Sequence, residues 1–163
     1  MIDQFTDTIR AASAAGRKLR IRGGGTKDFY GVALEGDVLD TTGHRGIVDY
    51  DPSELVMTVR TGTSVAEVET ALAERGQMLA FEPPRFSPDG TIGGAIGSGF
   101  SGPRRAAAGS ARDFVLGVRV LDAVRPLART GSFARALPGS VAEATGDHLK
   151  ASAGTIREGD LVG

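Results

Sequence analysis

The sequence contains no cysteine and no tryptophan, and it has only two histidines among 163 residues. Without cysteine, this chain can build no disulfide, thiolate nucleophile, zinc finger or iron–sulfur cluster. The histidines, His44 and His148, lie far apart with no second ligand beside either, so the residues support neither a metal site nor a hydrolytic triad. No G-x-S-x-G elbow occurs. Charge is nearly balanced, at a net −1, which gives no broad attraction to nucleic acid or to an anionic membrane. No apolar run approaches the roughly 18 residues of a membrane span. The opening stretch, Met1 to Asp7, lacks a basic segment and an apolar core and so reads as no signal peptide. These absences fit a reducing cytoplasm.

Glycine is what the sequence has in excess. There are 24, about twice average usage, in a chain whose 40% apolar and 24% charged residues are otherwise ordinary for one soluble domain. Such an excess implies loops held in special backbone conformations, often against a ligand.

Ile2, Phe5, Ile9 and Ala12 recur at helical spacing, with Gly16 as the stop. Lys18–Arg22 alternates as a strand and runs into Gly23-Gly24-Gly25-Thr26-Lys27. A loop region follows, then strands at Gly46–Tyr50 and Leu55–Arg60 on either side of an Asp51-Pro52-Ser53 turn. Ser64-Val65-Ala66-Glu67 is a capping-box pattern opening a helix that buries Val65, Val68 and Leu72. Gln77–Phe81 reads as a strand ended by Pro83 and Pro84. A second glycine-rich stretch runs from Asp89 to Gly99, and Phe114, Leu116, Val118 and Val120 are expected on one face of a strand ending near Asp122. The pattern describes an α+β chain without internal repeats.

Gly23–Lys27 directly follows a strand. Its N–H groups could surround phosphate oxygens as a nest, with Arg22 and Lys27 adding positive charge; the alternative is a flexible turn. The second stretch satisfies G-x-G-x-x-G literally at Gly97, Gly99 and Gly102, with Asp122 further on. A Rossmann fingerprint must leave a buried strand and open a helix. Here the lead-in holds Pro83, Pro84 and Pro88, which remove donors a central strand needs. Arg112 and Asp113 read as a local ion pair.

Together, Arg22–Gly31 and Asp89–Gly99, extended by Ser101–Arg105 and Arg112–Leu121, resemble the FAD-binding domain of the vanillyl-alcohol oxidase (PCMH-type) flavoproteins. Within them the chain is most similar to the FAD-binding subunits of bacterial glycolate oxidases. The resemblance covers residues 1–122 and implies two small α/β subdomains clasping FAD. It implies that Gly23, Gly24, Gly25, Thr26 and Lys27 cradle the pyrophosphate, that Thr91, Gly93, Gly94, Ser98 and Gly99 run along the cofactor, and that Pro83 lies beside the flavin. Some relatives attach flavin through a histidine where this chain has Thr26, so non-covalent FAD is expected. The resemblance further implies an oxidoreductase component that takes a hydride from a small 2-hydroxy acid. Electrons would pass to other subunits of a complex, including an iron–sulfur acceptor, in the cytoplasm or at the inner membrane face through those partners. No catalytic acid or base is named, no metal, no nucleic acid and no direct membrane insertion. The rival readings are an interaction subunit that has lost FAD and an NAD-binding Rossmann enzyme.

From Ala123 to Gly163 the family pattern stops. No run resembles the earlier strands, and composition leaves open a loose helical tail or disorder. The expectations are a C-terminally incomplete domain, a non-matching or frameshifted tail offering no partner strand to Phe114–Leu121, and no activity for this chain alone.

Overall fold

The computed structural model describes residues 1–32, 35–121, 128–131, 149–152 and 154–155, the last three segments as backbone strands. Helix α1 (Ile2–Ala14) turns Phe5, Ile9 and Ala12 inward, as their spacing predicts. Gly16, at φ +62°, ends it. Strand β1 (Leu19–Arg22) then pairs in parallel with β2 (Asp37–Asp40), from Leu19 opposite Asp37 to Arg22 opposite Asp40. Strand β2 falls in the stretch expected as loop. Asp-Val-Leu-Asp has one buried residue, Leu39, and too few apolar positions to show a period; pairing with β1 makes it a strand. Phe5, Ile9, Leu39 and Leu121 form a small core, flanked by Ile2, Leu19 and Ile21.

A second, larger core lies on a five-stranded antiparallel sheet. Its strands are β3 (Ile47–Asp51), β4 (Val56–Val59), β6 (Val115–Val120), β7 (Ala128–Gly131) and β8 (Leu149–Ser152), in the order β3-β4-β8-β6-β7. Met57, Thr58 and Val59 are all buried, so β4 is covered on both faces and its alternation is lost. Helix α2 (Val65–Ala73) adds Val65, Val68 and Leu72 to this core. Ser64 caps it by accepting the Glu67 N–H at 3.1 Å. The reciprocal capping box instead belongs to α5 (Ala111–Phe114), where Ser110 and Asp113 bond each other; Arg112 stands 3.6 Å from Asp113 as an exposed ion pair. Two further short helices are α3 (Ile92–Ser98) and α4 (Arg105–Ala108).

Three expectations change. The strand predicted at Gln77–Phe81 shrinks to β5 (Gln77–Met78), paired with β9 (Gly154–Thr155), although Leu79 and Phe81 remain core residues. In β6 the register against β8 shifts between Val115 and Gly117. That irregularity adds Val115 to the core and leaves Leu116 48% exposed; of the predicted face, Val118 is buried with Phe114 and Val120 packed against the same core, and Leu116 alone departs. Strand pairing also continues past Asp122: β6 has β7 on one side and β8 on the other, both supplied by the segment expected to offer no partner. Asp122 and His148 lie outside the described residues. The architecture is α+β with two cores, as the resemblance implies.

Candidate functional site

The two glycine-rich segments meet. Loop Gly23–Lys27 leaves the end of β1 and lies against Asp89–Thr91, just before α3. A methyl group on Gly24 would overlap the carbonyl oxygen of Asp89, and one on Gly23 would overlap the Thr91 hydroxyl. Glycine at these positions is thus required by contact between the segments. Of the three consecutive glycines only Gly25 has positive φ, at +67°. Lys27 completes the seam by donating from Nζ to the Gly94 carbonyl at 3.5 Å.

Among the described residues, none of the five N–H groups from Gly23 to Lys27 donates a hydrogen bond. The loop's carbonyls are used instead: Asp28 donates to Gly25 and Tyr30 to Lys27. A run of partly buried N–H groups left unpaired within the protein is suited to phosphate oxygens. The start of α3 behaves differently. Ile92 donates to the Thr63 carbonyl at 2.8 Å, Gly93 to Thr61 at 2.9 Å, and Gly94 to the Thr91 hydroxyl at 3.2 Å. These donors are spent inside the protein. Gly93 is glycine because a Cβ there would stand 2.7 Å from the Thr61 side chain.

A cavity lies on each side of the seam. One, of about 490 Å³, is lined by Gly23, Gly24 and Thr91 together with Arg22, Asp40 and Arg45, and reaches Thr42, Ser64 and Glu67. The other, of about 280 Å³, is lined by Thr26, Lys27 and Thr91 together with Pro84, Phe86 and Ala95. Thr91 belongs to both. Asp40 accepts from the N–H and hydroxyl of Thr42, at 2.8 and 2.7 Å, and these bonds hold its carboxyl below the ordinary aspartate value of 3.8. Arg22 is paired with Asp28 at 2.8 Å. Burial lowers the Lys27 ammonium below its usual 10.5, so this cation would gain from an anionic neighbour.

The expected site residues divide accordingly. Gly23, Gly24, Gly25, Thr26, Lys27 and Thr91 converge on the seam, and Gly94 touches it through Lys27. Gly93 faces Thr61. Ser98 donates to the Ala95 carbonyl at 3.0 Å, and Gly99 ends α3 at φ +65°. Pro83 is buried and lines neither cavity; its neighbour Pro84 does. Asp40, Thr42 and Arg45 carry no motif and enter the site only because β2 and the turn after it fold beside β1. The signal available for them was the Asp40-Thr41-Thr42-Gly43 turn pattern. His44, expected in a polar loop, is buried with its ring edge-on to Phe5.

The G-x-G-x-x-G match does not form a dinucleotide turn. Gly97 lies within α3, Gly99 at its end, and no strand leads into the stretch. The NAD-binding Rossmann reading therefore fails. Among the described residues no three His, Asp or Glu side chains gather as a metal site, and no helix is long and apolar enough to cross a membrane.

The sequence profile of a family described as an FAD binding domain matches residues 2–145, past Asp122. The glycolate oxidase subunit GlcE of Escherichia coli (strain K12) is 50% identical over 103 residues, covering 63% of this chain and 29% of that protein. The chain therefore spans under a third of that relative's length. Among solved structures, a Phl p 4 variant described as a glucose oxidase superposes with a TM-score of 0.77 at 17% identity, covering 96% of this chain and 34% of that one. An alkyldihydroxyacetonephosphate synthase gives 0.70 at 15% identity, covering 96% and 33%.

Proposed function

The chain belongs to the FAD-binding domain family, and from that premise we propose that it is the flavin-holding part of a subunit of a glycolate (2-hydroxy-acid) oxidase complex. The observation that carries the reading is the row of unpaired N–H groups at Gly23–Lys27, closed on the far side by Thr91 and flanked by two cavities. These residues fit a dinucleotide diphosphate. The N–H groups would donate to its oxygens, Lys27 would balance its charge, and the cavities would take the groups on either side. Bound FAD supplies a two-electron acceptor for the hydride of a hydroxy acid. The chain's own residues bind, orient and neutralise; none is placed as an acid or base.

Thr26 offers no nucleophilic ring nitrogen, so the FAD is held without a covalent bond. The 50% identity to a glycolate oxidase subunit supports companion subunits; we add an iron–sulfur acceptor among them, to which the electrons pass. We further place the protein in the cytoplasm, or at the inner membrane face through those companions, with no turnover by this chain alone. Purify the full-length protein, record its visible spectrum, then precipitate it in acid. A flavin spectrum whose chromophore stays in the supernatant is expected. A colourless folded protein would favour an interaction subunit that has lost FAD, and flavin in the pellet would refute the non-covalent link.

A further inference from the structure

Residues 83–86 carry one wall of the smaller cavity, yet their backbone ties them to nothing. Pro83 and Pro84 have no N–H to give. Among the described residues, the N–H groups of Arg85 and Phe86 donate no hydrogen bond, and none of the four carbonyls accepts one. Phe86 meets Phe29 and Phe100 edge-on and still stays 48% exposed. Pro84, Arg85 and Phe86 nonetheless all line the cavity. The one ion pair or hydrogen bond that ties this segment down joins the Arg85 guanidinium to Glu69 of α2. Helix α2 lines the same cavity with Val65 and Ala66, and Glu69, one turn further on, lies on the same helix face. The Glu69 side chain is only 24% exposed and its Oε2 is buried, whereas the Arg85 side chain is 60% exposed. Burial pushes the Glu69 carboxyl above its usual value and Arg85 pulls it back, so this carboxylate depends on that one cation.

We propose that Glu69 and Arg85 are positioning residues of the cofactor site, their ion pair fastening the wall at 83–86 to α2 and so keeping bound FAD from escaping. The inference rests on the reading of the smaller cavity as part of the flavin site. A segment whose backbone bonds to nothing opens readily, because few interactions are lost when it leaves. The pair raises that cost: drawing Arg85 away would leave a largely buried carboxylate without its partner. The helix end of the pair is firm, since Val65, Val68 and Leu72 anchor α2 in the larger core. The wall thus takes its order from that core through one side chain. Because the pair holds a wall already in place, it acts on the escape of the ligand more than on its arrival.

The test uses the full-length protein. Chymotrypsin cleavage after Phe86, identified by mass spectrometry in FAD-free protein, reports opening of the wall, with a chromogenic peptide in the same tube as the rate reference. Glu69→Gln and Arg85→Gln should each speed this cut about fivefold, the upper factor for a pair so placed. The double variant should cut no faster than either single one, and Arg85→Lys should stay within twofold of wild type. In FAD-loaded protein, flavin fluorescence should show both single variants releasing the cofactor about fivefold faster, with association within twofold of wild type. Cutting and release within twofold of wild type in both single variants would overturn the proposal, as would effects that multiply in the double variant. Faster cutting with unchanged release would refute the role at the cofactor. Should a single variant unfold, the double variant decides, since it leaves no charge unpaired: cutting and release within twofold of wild type there would overturn the proposal. Wild-type protein that binds no flavin refutes the cofactor reading, while the cutting rates still decide whether the pair fastens the wall.

Discussion

Replacing Gly24 by alanine should break the seam between the two glycine-rich segments. The cost is not backbone strain, because Gly24 is absent from the positive-φ positions. It is overlap: the new methyl would fall within the Asp89 carbonyl, and that partner is backbone, which cannot swing aside like a side chain. Overpacking typically costs about 1–3 kcal/mol, and the upper part of that range applies when main chain must move. Relief requires loop Gly23–Lys27 to separate from Asp89–Thr91, which also scatters the unpaired N–H groups. FAD affinity should then fall at least tenfold, or about 1.4 kcal/mol. Gly97→Ala is the control. No atom lies within 4 Å of a methyl there, and the residue sits inside α3. Helix propensity then predicts a gain of about 0.5–1 kcal/mol and unchanged FAD affinity. Urea unfolding and fluorescence titration of FAD read both quantities. If Gly24→Ala unfolds like wild type and binds FAD within twofold, the close contact with Asp89 is wrong and so is the site built on it.

Other expectations follow from single groups. Phe81 is fully buried, so Phe81→Ala should lower the unfolding free energy by about 3–5 kcal/mol in the same urea experiment. FAD affinity should decline as pH rises through the Lys27 pKa, which lies below the ordinary lysine value because burial disfavours the charge; Lys27→Gln should weaken binding at neutral pH and flatten that profile. A Lys27→Gln profile as steep as wild type would remove this lysine from the diphosphate site. The bonds from Ser110 hold the Asp113 carboxyl below 3.8, so its contribution to stability is present above that pH and lost as pH falls through the lowered folded value. Melting curves taken into acid should show a smaller loss for Asp113→Asn than for wild type.

Local rules made much of this protein legible. The spacing of Phe5, Ile9 and Ala12 gave α1, Ser64 marked the start of α2, and glycine after a strand marked the loop at Gly23. These signals are short-range: a period, a cap or a conformational preference acts within a turn or two of chain. The order of two glycine-rich segments also carried the family resemblance, although each run alone is compatible with an ordinary turn.

Tertiary structure decided the reasons behind that pattern. Gly24 and Gly93 are glycine because distant carbonyls and side chains, at Asp89 and Thr61, come too close for a Cβ. The donors of Ile92 and Gly93 are consumed by Thr63 and Thr61, while those of the Gly23 loop remain unpaired. Asp40 and Arg45 reach the larger cavity only through the β1–β2 pairing. The bulge in β6 reversed the face of Leu116, and the partners of β6 came from a segment with no readable strand period. Sequence fixes which backbone conformations each segment accepts. Which segment spends its donors, and which keeps them for a ligand, depends on contacts between residues far apart in the chain.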